Sequence, residues 1–162
     1  MTSIATTPAN SIRLHPRRFL LPLAFFLVFS GLDEDSGRKL CEDGSLWPAF
    51  NLATGIGEGH RLALHVWREA VLQWPPSQAV RLNGDLDKII AAVLPSQSPG
   101  SGSQAAIGAT ELAFRFCCSV DLIANLVRSG ELRTFGKPSR PKATPRILQS
   151  SAVEFLKRRL FQ

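Results

Sequence analysis

Leu40-Cys41-Glu42-Asp43-Gly44-Ser45-Leu46 and Leu126-Val127-Arg128-Ser129-Gly130-Glu131-Leu132 follow one pattern: an apolar pair, two polar residues, Gly, one polar residue, Leu. Such a run predicts a helix that ends at the Gly, in the left-handed conformation of a C-cap, with the following Leu turned back onto the core. Working outward, the same elements recur around both copies. Upstream lie an apolar helix, a three-residue turn and a second helix: Leu23 to Phe29, Ser30-Gly31-Leu32 and Asp33 to Asp43 in one copy, Thr110 to Phe116, Cys117-Cys118-Ser119 and Val120 to Ser129 in the other. Downstream come a polar, Gly- or Pro-rich excursion (Ala53 to His60; Gly136 to Pro145), a short extended piece (Leu62 to Val66; Arg146 to Leu148) and an amphipathic run. The closing runs, Arg68-Glu69-Ala70-Val71-Leu72 and Ser151-Ala152-Val153-Glu154-Phe155-Leu156, share Ala-Val in register. Elements repeated in this order mark an internal duplication.

The breaks between the copies are Trp74-Pro75-Pro76-Ser77 and Pro95-Ser96-Gln97-Ser98-Pro99-Gly100-Ser101-Gly102-Ser103, where Pro, Gly and Ser interrupt regular structure. The expected organisation is a flexible tail over 1–17, a first module over 18–74, a linker over 75–106 and a second module over 107–162. Inside the linker, residues 85–94 read as a short helix. Asp85 would cap it, Leu86, Ile89, Ile90 and Val93 would share one face, and Pro95 would end it. The fold class expected is mainly α with small β wings, an α+β chain of two tandem modules.

The chain has 162 residues, 44% apolar and 20% charged, which is too apolar for a wholly disordered protein and suits one ordinary domain or two small ones. It carries 19 Lys plus Arg against 13 Asp plus Glu, a formal +6. Residues 1–75 are balanced at 7 basic and 7 acidic, whereas residues 109–162 hold 10 basic and 4 acidic, so the net charge lies in the last third. A local positive excess favours a polyanionic partner, nucleic acid first and an anionic membrane surface second. Three cysteines, Cys41, Cys117 and Cys118, form neither a disulfide framework nor a zinc set and suit a reducing, cytoplasmic compartment. Arg13, Arg17 and Arg18 followed by Phe19 to Phe29 have the look of a secretory signal. At about 11 residues the apolar run is too short for a membrane span, which takes about 20. The repeat favours a core helix there.

A helix, a three-residue turn, a second helix, Gly, a hairpin excursion and a final helix make up the layout of a small winged helix-turn-helix. Both copies resemble the excisionase/MerR-like DNA-binding domain. The second does so through Glu111-Leu112-Ala113-Phe114-Arg115-Phe116-Cys117-Cys118-Ser119, Asn125 to Leu132 and Arg146 to Arg159. The first is similar through Gly31-Leu32-Asp33, Arg38-Lys39-Leu40-Cys41, Gly44-Ser45-Leu46 and Pro48-Ala49-Phe50-Asn51-Leu52. Together the matches cover about two thirds of the chain.

The resemblance implies that the second helix of a module enters the major groove of double-stranded DNA while the wing reaches a neighbouring groove or phosphate row. In the second module Ser119 is expected to cap that helix, Ile123, Leu126 and Val127 to face the core, and Asp121, Ala124, Asn125 and Arg128 to point outward. Asn125 suits adenine, and Arg128 suits guanine or phosphate. Lys137, Arg140, Lys142 and Arg146 on the wing, with Lys157, Arg158 and Arg159 on the closing helix, are expected phosphate contacts. In the first module Arg38, Lys39 and Arg61 are the basic candidates. Glu34, Asp35, Glu42 and Asp43 surround Arg38 and Lys39, and Gly37 stands where a core Val or Ile is expected, which makes this copy degenerate and suited to packing or to contacts with a second copy or a protein partner.

No catalytic chemistry is expected. Gly55-Ile56-Gly57-Glu58-Gly59 is neither a dinucleotide fingerprint nor a P-loop. His60 and His65, five apart across an expected strand, face opposite ways, so no shared metal follows, and no cofactor is implied. Trp47, Trp67 and Trp74 read as core or interface anchors. The sequence therefore predicts a non-enzymatic, sequence-specific DNA-binding protein, a transcriptional regulator or recombination accessory factor. The competing readings are a protein-interaction scaffold on the same fold, or a secreted or membrane-anchored protein led by residues 13–30.

Overall fold

A computed structural model of the chain describes residues 15–54, 63–74, 86–95, 105–136 and 144–161. Among these residues it is a mixed α/β protein with seven helices and small antiparallel sheets. The elements are β1 (Leu20–Pro22), α1 (Leu23–Ser30), α2 (Glu34–Glu42), β2 (Ala49–Asn51), β3 (Leu64–Trp67), α3 (Arg68–Leu72), α4 (Leu86–Val93), β4 (Ala106–Gly108), α5 (Ala109–Phe116), α6 (Val120–Arg128), β5 (Arg146–Leu148), α7 (Gln149–Arg158) and β6 (Leu160–Phe161). Both halves open on strand, helix, helix and end on a strand that runs into a helix, so the two similar stretches of sequence form units of like local architecture; the first has a further strand, β2, where the second has only an isolated bridge between Thr134 and Ile147.

The repeated Gly does what its position requires. Gly44 and Gly130 have φ of 77° and 80°, a region an L side chain rarely adopts. The chain turns there so that Leu46 N–H donates to Leu40 O at 2.8 Å and Leu132 N–H donates to Leu126 O at 3.1 Å, and both leucines are buried. Each second helix begins on a side-chain cap. Ser36 N–H donates to Asp33 Oδ1 at 2.7 Å, and Leu122 N–H donates to Ser119 Oγ at 3.1 Å. The bond from Ser36 also holds the Asp33 carboxyl below the usual carboxylate range.

Two strands that hydropathy did not announce, β1 and β4, run directly into α1 and α5. Leu21 opposes Val66 in the β1–β3 pair, and Ile107 opposes Ile147 in the β4–β5 pair. This pairing corrects the closing-run alignment. Val66 is equivalent to Ile147, so Ala70 and Val71 correspond to Ser151 and Ala152, one residue away from the shared Ala-Val. All four are buried, and burial against the sheet rather than residue identity sets the register.

The halves share a core. Strand order β1-β3-β2-β6 places the last strand of the second unit beside β2 of the first, with Phe50 opposite Leu160. Leu20, Phe50 and Leu52 are fully buried in one cluster with Leu112, Phe116, Ile123, Leu126, Phe155 and Leu156. Further bonds cross between them: Phe19 N–H to Arg115 O at 3.0 Å and Asn51 N–H to Arg159 O at 2.8 Å. Ile89, Ile90 and Val93 of α4 are buried, the first turn of that helix is tied to α7 by Asp87–Lys157 at 2.5 Å, and Asp85 lies outside the described residues. The apolar run 19–29 is built into the fold through Leu20, which belongs to this shared core, and through Leu21 and Phe26, which belong to a second cluster within the first unit with Cys41, Leu46 and Val66; no helix of the described residues is long and apolar enough to cross a membrane.

Candidate nucleic-acid interface

Helix α5 ends at Cys117, which takes a left-handed conformation (φ 53°), and Ser119 starts α6 two residues later. The turn holds the two helices against each other with Phe116, Ile123 and Leu126 fully buried between them and the sheet. The opposite side of α6 presents Val120, Asp121, Asn125 and Arg128 to solvent, while Ala124 is half-buried. Arg128 Nη2 donates to Asn125 Oδ1, so the two side chains stand as one polar unit on the exposed face. That bond uses the Asn125 carbonyl oxygen as acceptor, and the amide N–H2 and the remaining guanidinium donors on these exposed side chains are suited to acceptor atoms on base edges or phosphates. Asp121 sits in the first turn, where a carboxylate favours the helix dipole but opposes phosphate.

The other basic residues expected to meet a polyanion fall into three groups. Arg146 is exposed on β5, beside the bridge from Thr134 to Ile147 that starts the excursion. Lys157 and Arg158 are about half exposed and engaged in ion pairs, Lys157 with Asp87 and Arg158 with Glu131 Oε2 at 3.4 Å. Exposed pairs of this kind contribute about 0–1 kcal/mol and can exchange for phosphate. Lys137, Arg140, Lys142 and Arg61 lie outside the described residues, as does His60.

Arg159 is corrected. Its side chain is 5% exposed, its Nη2 donates to Glu131 Oε1 at 3.0 Å, and its guanidinium lies 5.4 Å from the Phe155 ring centre. A guanidinium held inside the fold does not meet a polyanion. It anchors the Gly130-Glu131-Leu132 turn, and with it the end of α6, to α7. The sequence carried a signal for this: Arg159 is four residues after Phe155 and three after Leu156, on the buried face of the helix. Glu131, with no expected role beyond the repeated motif, is the carboxylate that pairs with both Arg158 and Arg159.

The equivalent face of the first unit has different chemistry. Helix α2 exposes Glu34, Asp35, Arg38, Lys39 and Glu42, with Arg38 Nε donating to Glu42 Oε1 at 3.1 Å. The exposed Lys39 is thus set among carboxylates that repel phosphate. Gly37 is buried in this helix. A Cβ at Gly37 would stand 2.4 Å from Leu27 Cδ2 and 3.5 Å from Leu23 Cδ1, so Leu27 of α1 occupies the space that Ile123 fills in the second unit.

Other groups settle as structural. His65 is buried on β3 between the units, Nδ1 3.0 Å from Ala63 O and Nε2 3.3 Å from Cys117 O. Burial lowers its pKa, and the two carbonyls oppose that shift in part. The three cysteines are free, and burial pushes the Cys41 and Cys118 thiols up to about 12. Trp67 packs on the shared core, and Trp74 meets Phe26 edge-on at 5.5 Å. Among the described residues no group of three or more His, Cys, Asp or Glu could hold a metal ion. No family model matches the chain, and no curated protein or solved structure matches it.

Proposed function

We propose that this is a sequence-specific, non-enzymatic DNA-binding protein made of two tandem winged helix-turn-helix modules, in which α6 reads the major groove. The observation that carries the reading is the Asn125–Arg128 pair, hydrogen-bonded together on the exposed face of a capped helix whose other face is locked into the core. Both side chains present donors that match base edges, and the last third of the chain holds the whole net charge. The acidic α2 supports a degenerate first module that scaffolds the second. A transcriptional regulator and an excisionase-like recombination accessory factor are the two roles that fit such a chain. Exposed apolar side chains on the first unit, Val28 and Phe29, favour a second role in protein contacts.

Because Leu20, Phe50 and Leu52 belong to the same core as α5, α6 and α7, the test uses the full chain. A site is selected from random duplexes, and its affinity is then followed against salt. Log affinity is expected to fall linearly with log salt. Arg146→Ala should weaken all sequences equally and lower the slope by about 1, whereas Asn125→Ala or Arg128→Ala should cost the selected site about 1–3 kcal/mol and relax its sequence. Absence of binding, or binding indifferent to salt, overturns the proposal.

A further inference from the structure

Helix α1, Leu23-Ala24-Phe25-Phe26-Leu27-Val28-Phe29-Ser30, has no polar residue before its last position. A helix apolar on every side is one that is covered on every side. Within the chain, only Leu23 and Phe26 of this helix are buried, and Phe25 and Leu27 are half-buried. Val28 is 83% exposed, Phe29 46%, and Leu32 in the following turn 36%. These are three of the six large apolar side chains left exposed among the described residues, and they lie within five positions of one another.

The repeat shows what covers this face in the second unit. There the counterparts of Val28 and Phe29 are Phe114 and Arg115. His15 meets Phe114 edge-on at 4.8 Å, with the Arg18 guanidinium 5.3 Å from the same ring. Arg115 stands 5.0 Å from the Phe19 ring and donates to Val93 O at 3.0 Å. Segment 15–19, which leads into β1, thus seals the end of α5. Continuing that head-to-tail contact to another chain would need its counterpart segment, Ser101-Gly102-Ser103-Gln104-Ala105, which carries neither a ring nor a guanidinium. Among the described residues the open face of α1 has no such partner, and it is left to pair with itself.

We propose that the chain forms a closed, two-fold symmetric dimer with the exposed end of α1, Val28, Phe29 and Leu32, at its centre. The charges beside it are self-complementary. Asp33, Glu34 and Asp35 are exposed at the start of α2, and Lys39 and Arg38 are exposed about one turn later, Arg38 in an exposed pair with Glu42 that a partner's carboxylate can replace. Across a two-fold axis the acidic start of one α2 meets the basic part of its partner, and residue i contacts j as j contacts i. The dimer requires no DNA and stands or falls apart from the reading of α6.

Sedimentation velocity of the full chain without DNA tests it. The mass should rise with concentration to twice the 17.7 kDa of one chain and stop there. Val28→Asp, at a position that touches no core, should raise the dissociation constant roughly tenfold or more, with unchanged circular dichroism. Glu34→Lys/Asp35→Lys and Arg38→Glu/Lys39→Glu chains should each be monomeric alone and dimerise when mixed. A monomer at every concentration, a dimer indifferent to Val28→Asp, a mass that grows past twice the chain, or a mixture that stays monomeric would each overturn the proposal.

Discussion

Exchanging the sizes of two residues in the first unit should transplant the packing of the second. In α1 and α2 the facing pair is Leu27 with Gly37, and in α5 and α6 the equivalent pair is Ala113 with Ile123, large and small inverted. Gly37→Ile alone puts a branched side chain where a Cβ would already lie 2.4 Å from Leu27 Cδ2. Overpacking of this kind costs about 1–3 kcal/mol, offset by about 0.5 kcal/mol of helix propensity gained over Gly. Leu27→Ala alone empties a half-buried site, and at about half the cost of a fully buried leucine it should lose about 1–2 kcal/mol. In the double variant the introduced isoleucine would occupy the space Leu27 vacates, as Ile123 does beside Ala113. The expected stability lies within about 1 kcal/mol of the parent, a coupling of about 2 kcal/mol between sites in direct contact. Urea unfolding followed by circular dichroism reads this, with m unchanged across the four proteins. Additive costs, with the double variant as unstable as the two singles summed, would refute both the structural equivalence and the account of Gly37.

The Glu131–Arg159 pair makes an asymmetric prediction. Glu131→Ala leaves a buried guanidinium unpaired and should cost about 2 kcal/mol, below the range for fully buried pairs because the Glu131 side chain is a quarter exposed. Arg159→Met should cost less, and adding it to Glu131→Ala should recover stability in urea melts; an Arg159→Met chain weaker than Glu131→Ala would contradict the buried-charge argument. The depressed pKa of His65 gives a pH dependence. Below about 6.5 the unfolded chain binds the proton first, so stability should be flat above that pH and fall as pH drops, by at most about 1.4 kcal/mol per unit. A His65→Asn chain with the same acid slope would assign that slope to other groups; Asp33, also depressed, acts only below about 3.8.

Local signals were legible in the sequence and long-range ones were not. The Gly-x-Leu endings, the cap Ser119, and the buried stripe of α6 each depend on residues within a turn or two, and the helices begin and end within about one residue of where those signals put them. Strands β1 and β4 are three residues each and acquire their identity only from the partner that pairs with them. The same holds for β6, two residues whose place beside β2 joins the halves. The misregistered Ala-Val shows the limit of identity as evidence: two small apolar residues recur easily, whereas a side chain on the wrong side of the register loses its burial. Arg159 was misread for a related reason. Counted in a basic run it looks like its neighbours, and only its helical phase relative to Phe155 separates it from them.

The two units diverge in opposite directions on the same surfaces, and this gives the duplication its functional sense. On the outer face of the first helix the second unit carries Thr110, Glu111, Phe114 and Arg115, of which Phe114 and Arg115 are engaged with segment 15–19 and α4 and Glu111 pairs with Arg115, while the first carries Ala24, Phe25, Val28 and Phe29, two of them among its most exposed large side chains. On the second helix the first unit is dense in carboxylates, while the second has one exposed carboxylate, Asp121, and the Asn125–Arg128 pair. Two identical copies would present two equal surfaces to one polyanion. These copies instead separate a charged face from an apolar one, and the common core through Leu20, Phe50, Leu52 and β6 fixes one relative to the other. An apolar face brought to a two-fold axis by the first unit would thereby set the spacing between two copies of α6. The distance between the half-sites recovered by site selection would then be a property of the α1 contact, and a Val28→Asp chain should select single half-sites without a fixed spacing while keeping the same preferred bases within each.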